Sequence, residues 1–305
     1  MQAVVTIAVV ILAAWYLWHQ WDKASTARVT LRFAPAWLGA ATLIVLGTYA
    51  LLIEVWRRVL SHYDSVIPFA PAARVWFVSN LGKYVPGKVW QVTTMTLMLS
   101  QLRVPVATAA SASAIITIAN VAAGFGLVVV IGMPALRAVA SGHDAAILIA
   151  GSILVVALLA APFVMRVVSS IASRLLRRPL ALTVPARGAW LAVLGCLVGW
   201  VLYGCAFQLF VRSLLGTASA PWITYVTAYT LSYLIGYLAL FLPGGIGARE
   251  VSLSYLLITL QAATPAEATI ITIASRLWLT VLEIVPGVLF LFVRPAAGTA
   301  PRLSP

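Results

Sequence analysis

Seven apolar stretches recur along this chain, near 3–19, 36–56, 106–131, 145–165, 188–211, 222–242 and 268–293. Each is close to the ~20 residues that a helix needs to cross a bilayer. In lipid a segment must satisfy its own backbone hydrogen bonds, so each stretch reads as a helix and the chain as a polytopic membrane protein. Composition leaves no room for a soluble domain, since 63% of the 305 residues are hydrophobic, 9% are charged and the mean hydropathy is +1.04. The widest polar gap, from Arg166 to Arg187, is too short for a folded extramembrane unit. The expectation is one transmembrane domain over 1–305, opening with two helices in 1–56. No Lys or Arg precedes the first apolar run, which marks a retained helix rather than a cleaved signal.

The net charge of +13 would suggest nucleic acid in a soluble protein, but here it is first a topology signal, and no nucleic-acid partner is expected. Arg166, Arg174, Arg177, Arg178 and Arg187 form an acid-free stretch, which places that loop in the cytoplasm and could also hold anionic lipid headgroups. Cys196 and Cys205 are nine positions apart on one helix and so face opposite sides, which excludes a mutual disulfide. His19, His62 and His143 sit in separate segments with only lone carboxylates, Asp64 and Asp144, near two of them. Neither a metal nor a cofactor is expected. Gly82-Lys83-Tyr84-Val85-Pro86-Gly87-Lys88 imitates the start of a phosphate-binding loop, but Val89 stands where Ser or Thr must follow, and a membrane helix supplies no preceding strand.

One passage occurs twice. Pro86-Gly87 is followed by Ile115-Ile116-Thr117-Ile118-Ala119, and Pro243-Gly244 by Ile270-Ile271-Thr272-Ile273-Ala274; Pro105 and Pro265 fall between these marks in the two copies. Residues 66–102 are too short for two full spans, so a re-entrant hairpin broken at Pro86-Gly87 fits them, with a second at Pro243-Gly244-Gly245. Three crossings, 106–131, 145–165 and 188–211, separate the hairpins, and an odd number inverts the second copy. The fold expected is therefore all-α: a polytopic membrane helix bundle with two inverted repeats, about 66–131 and 222–293, and two re-entrant broken-helix hairpins. The first hairpin enters from the cytoplasm and the second from outside. Gly195 and Gly199 form a GxxxG suited to close helix packing.

Charges inside membrane segments are costly and default to function. Lys83 and Lys88 bracket the first Pro-Gly, while Arg249 and Glu250 follow the second. A helix restarting after such a break points unpaired amides at the tip, so each tip offers an anion both a dipole end and a cationic side chain. A phosphate-bearing headgroup suits that pair of tips, held by Lys83, Pro86, Gly87, Lys88, Pro243, Gly244, Gly245, Arg249, Glu250, Arg276 and Glu283. Arg276 and Glu283 share a helical face and can pair with each other or with Glu250 and Arg249. A buried ion network that only fixes helix register explains the same charges. Glu54, three and four residues before Arg57 and Arg58, suits local pairing. Asn80, Gln91, Asn120 and Ser275 can line the same interior or bond between helices.

Asn80-Leu81-Gly82-Lys83-Tyr84-Val85-Pro86-Gly87 and Leu242-Pro243-Gly244-Gly245-Ile246-Gly247-Ala248-Arg249-Glu250 resemble the two signature stretches of the lysylphosphatidylglycerol synthase transmembrane, or flippase-like, family. The resemblance runs from the second helix to the last. It implies a bacterial or archaeal inner-membrane protein that binds and translocates a lipid headgroup, and no enzyme. Members are fused to a cytosolic aminoacyl transferase or stand alone; these 305 residues read as the stand-alone form, so the lipid need not be lysyl-phosphatidylglycerol. The expected partner is a membrane lipid, either a phospholipid or a polyprenyl-phosphate. The alternatives are a non-transporting subunit of an envelope glycosyltransferase or lipid-modifying enzyme, and an integral-membrane enzyme. Asp22, Asp64 and Asp144 stand isolated in short loops and give the last of these no acid–base constellation.

Overall fold

The computed structural model describes residues 31–82, 89–133, 137, 163, 167, 170, 171, 174, 185–239, 245 and 247–292. The apolar stretch 3–19, and 145–165 apart from Phe163, lie outside them. Among the described residues there are eight α-helices and no strand: α1 Pro35–Ser61, α2 Phe69–Leu81, α3 Val89–Gln101, α4 Val106–Ile131, α5 Ala186–Leu215, α6 Trp222–Leu238, α7 Ala248–Thr259 and α8 Pro265–Phe292. Six of them start on proline. Pro68, Pro105, Pro185 and Pro221 are the N-cap residues of α2, α4, α5 and α6, while Pro35 and Pro265 are the first residues of α1 and α8. A proline at a helix start sacrifices no hydrogen bond, because first-turn amides have no intrahelical partner, and its ring presets φ. At the other end, Gly216 closes α5 in the left-handed conformation, φ 78°, and donates its N–H to the Arg212 carbonyl.

Length divides the helices into two kinds. α1, α4, α5 and α8 are long and apolar enough to cross a membrane. α2, α3, α6 and α7 have 13, 13, 17 and 12 residues. At 1.5 Å per residue they reach only ~18–26 Å, short of the ~30 Å hydrocarbon layer.

The order long, short, short, long occurs twice, in α1 to α4 and in α5 to α8, and the packing follows it. α2 packs on α3, α3 on α4 and α2 on α8; in the same way α6 packs on α7, α7 on α8 and α6 on α4. α1 and α5 pack on each other and run antiparallel, since a Cβ at Gly188 would face His62, one at Gly195 Val55 and one at Gly199 Leu52. The Gly195 and Gly199 pair thus serves the close packing that GxxxG predicts. Where α1 and α5 cross, the Tyr49 and Tyr203 rings lie 6.1 Å apart. The twin pentapeptides do not occupy matching places in this plan. Ile115 is the tenth residue of α4 and Ile270 the sixth of α8, about one turn apart in register. Their burial differs accordingly: Thr117 is exposed and Thr272 is buried.

Two surface features behave as local chemistry requires. Arg74 Nε donates to the Phe290 carbonyl at 3.0 Å, so an arginine of α2 satisfies one of the last-turn acceptors of α8. Glu54 takes Arg57 at 2.8 Å and Arg58 at 2.7 Å from the same helix. Half-exposed pairs of this kind are worth ~0–1 kcal/mol. Glu54→Gln is therefore expected to lower the melting temperature of the detergent-solubilised protein by only a degree or two, roughly what ~0.5 kcal/mol does in a domain of this size; a large drop would show the trio to be structural.

Candidate functional site

α6 carries tyrosine at every fourth position: Tyr225, Tyr229, Tyr233 and Tyr237. Four residues advance a helix by ~400°, so such a ridge drifts ~40° per step around the axis. Burial follows the drift, from 0% exposure at Tyr225 and 2% at Tyr229 to 40% at Tyr237. The inner end of the ridge joins rings from α1 and α5: Tyr203 stacks on Tyr229 at 6.0 Å, Trp200 meets Tyr233 edge-on at 5.3 Å, and Tyr49 meets Tyr203. The Trp200 indole N–H donates to the Asn120 carbonyl of α4 at 2.9 Å, which fixes the ring between helices.

A cation lies on this aromatic floor. The Arg249 guanidinium is 4.9 Å from the centre of the Tyr233 ring and 5.4 Å from that of Tyr229. Planar, delocalised and weakly hydrated, a guanidinium is the cation best suited to such stacking. Arg249 is brought there by glycine. A Cβ on Gly236 would come within 2.7 Å of the Arg249 Cβ, and one on Gly245, whose φ is 68°, within 2.6 Å of the Gly236 carbonyl oxygen. The C-terminal turn of α6 and the start of α7 can meet this closely only without those side chains. The first hairpin closes similarly, with Gly82 against the Gln91 backbone and Gln91 Nε2 donating to Asn80 Oδ1 at 2.6 Å.

Glu250 stands beside Arg249 in the first turn of α7. Its Oε2 accepts the Gly247 N–H at 2.6 Å, and its Oε1 lies 3.5 Å from Arg276 Nε on α8. Glu283, also on α8, lies within electrostatic reach of Arg249, Tyr49, Tyr203 and Tyr229. Arg249 and Glu250 are 7% and 6% exposed. Isolated charges at that burial would cost several kcal/mol each; Glu250 is offset by Arg276 and the Gly247 amide, and Arg249 by the ring faces beneath it. Of the pairings open to Arg276, the one with Glu250 is formed.

Of the residues that the sequence singles out, Gly245, Arg249, Glu250, Arg276 and Glu283 belong to this junction of α6, α7 and α8. Lys83, Pro86, Gly87, Lys88, Pro243 and Gly244 lie outside the described residues. Ser275 bonds locally to the Thr272 carbonyl. The tyrosine floor is the part that reading single charges missed; its four-residue spacing on α6 was the available signal. Among the described residues no three His, Cys, Asp or Glu side chains come together as a metal site.

An all-helical bundle with four candidate membrane spans, carrying paired charges in its interior, defines a polytopic integral membrane protein. Residues 3–287 match the model of the lysylphosphatidylglycerol synthase TM region, and the chain belongs to that family. No curated protein matches the chain.

Proposed function

We propose that this protein is a lipid translocator of a prokaryotic cytoplasmic membrane, passing a phosphate-bearing headgroup between two re-entrant hairpins that belong to inverted repeats. The observation that carries the reading is the cluster of buried Arg249 and Glu250 with half-buried Arg276 where α7 begins against α8. Ionised groups at membrane depth are retained where they meet a polar substrate, and two guanidiniums beside a helix N-terminus suit a phosphodiester. The antiparallel run of α1 and α5, which hold the same place in the two halves, supports the inversion, because a two-fold axis in the membrane plane generates such a pair. The lengths of α2, α3, α6 and α7 support the re-entrant reading. The protein moves its lipid, a phospholipid or a polyprenyl-phosphate, rather than modifying it.

The test is translocation of labelled anionic, zwitterionic, aminoacylated and polyprenyl-phosphate lipids in proteoliposomes. The wild type accelerates one class over protein-free vesicles. Arg276→Ala slows it at least tenfold, the equivalent of ~1.4 kcal/mol, a modest share of the cost of breaking a buried pair. If no lipid crosses faster than in protein-free vesicles, the transport reading fails and co-purifying enzymes become the question.

A further inference from the structure

The carboxylate of Glu250 sits where an anion would. It takes the amide of Gly247 at the head of the twelve-residue α7 through one oxygen, and it faces the Arg276 guanidinium through the other. On an exposed helix that contact would be the glutamate half of an ordinary capping box, since Gly247 has no side chain to supply the other half. Here the residue is 6% exposed, and the donors around it exceed what one carboxylate satisfies. Arg249 Nη2, in the same turn of α7, is buried without a hydrogen-bond partner, and Glu250 Oε1 makes no hydrogen bond to complement its ion pair. A buried donor left unpaired costs ~1–3 kcal/mol, so the Arg249 guanidinium gains from any acceptor that comes to it.

We infer that Glu250 is a stand-in anion: its carboxylate holds the place that a phosphodiester headgroup takes, and the two exchange there. This rests on the phosphate-headgroup reading above and adds to it how the seat is kept when no headgroup is in it. Geometry favours exchange over addition. The two oxygens of Glu250 already occupy the Gly247 amide and face the Arg276 guanidinium, so a phosphodiester reaching those donors must displace the carboxylate. A phosphodiester matches the two acceptor oxygens of the carboxylate and brings further oxygens for Arg249 Nη2. From α6, Tyr229 and Tyr233 contribute ring faces to Arg249. The exchange closes the seat to water between cargoes and makes release of the headgroup easy, because Glu250 is tethered beside it.

Thermal unfolding of the full chain in detergent tests this without any transport. Wild type, Glu250→Ala and Glu250→Gln are each melted in chloride, formate, inorganic phosphate and dihexanoyl-phosphatidylglycerol at matched ionic strength, with a neutral short-chain lipid as control. Glu250→Ala melts lower than wild type in chloride and regains about half of the loss in formate or dihexanoyl-phosphatidylglycerol, as ligand binding to the native state requires; formate leaves the wild type unmoved. Glu250→Gln keeps the cap but not the charge, and binds dihexanoyl-phosphatidylglycerol about tenfold tighter than the wild type. Should Glu250→Ala not fold, Glu250→Gln alone decides. Equal response of wild type and variants to every anion overturns the inference. Response to inorganic phosphate but not to the short-chain lipid overturns its lipid part and leaves a seat for a free anion. Exchange at the seat in a protein that moves no lipid refutes the transport reading alone.

Discussion

Arg249→Ala is expected to reduce lipid translocation in proteoliposomes by about two orders of magnitude, since taking one charge out of a buried charged cluster costs ~3–5 kcal/mol and each 1.4 kcal/mol is tenfold. Removing the guanidinium strips the Tyr229 and Tyr233 faces of their cation. Arg249→Lys separates charge from shape. A lysine keeps the charge but not the planar group that stacks on two rings, and a cation–π contact is worth ~0.5–2 kcal/mol, so this variant should lose about tenfold. Both are checked by the same translocation assay beside far-ultraviolet circular dichroism and gel filtration. Wild-type transport by a well-folded Arg249→Ala would assign the arginine to helix register alone.

The second large effect belongs to Gly236. Its α-carbon lies where the two arms of the second hairpin meet closely, hemmed by Arg249 on one side and by Gly245 on the other. Gly236→Val places branched methyls where even one Cβ would lie 2.7 Å from the Arg249 Cβ. Overpacking of a filled interior costs ~1–3 kcal/mol, and here the side chain forced aside is the charged one. The variant should melt several degrees lower and also lose transport. Gly39→Val, where no heavy atom lies within 4 Å of the added carbon, should change neither. Melting curves of the two variants in one detergent settle it: equal stabilities would mean that α6 and α7 can part freely.

Much of the helix plan is legible in the sequence because hydropathy and proline speak to the same boundaries. The apolar run 106–131 coincides with α4, between Pro105 and Gly132. The run 36–56 stops short of the end of α1 at Ser61, since Arg57 and Arg58 continue the helix by pairing with Glu54, and hydropathy cannot register a helical turn made of charges. At the site, the charged residues announce themselves by their cost in lipid, and the sequence leaves the partner of Arg276 open; the structure brings Glu250 to 3.5 Å from it. The tyrosine floor is harder to see, because three of its rings come from separate helices and meet only through tertiary packing: Tyr49 from α1, Tyr203 from α5 and Tyr229 from α6. The shared Ile-Ile-Thr-Ile-Ala misleads by about one turn, since apolar helices reuse the same few residues while burial is set by what packs on them.

Among the described residues the two hairpins are joined by unlike chemistry. The first is joined by an amide pair, Gln91 with Asn80, and the second by ionised groups around Arg249 and Glu250. Were the halves identical, a machine that works by swapping their shapes would find its two end states degenerate, each the mirror of the other in energy. Divergence of the two seams lifts that degeneracy. Under the proposed exchange, the free energy invested in the charged seam gives the empty protein a resting orientation, and only the cargo has to supply the difference that brings it back.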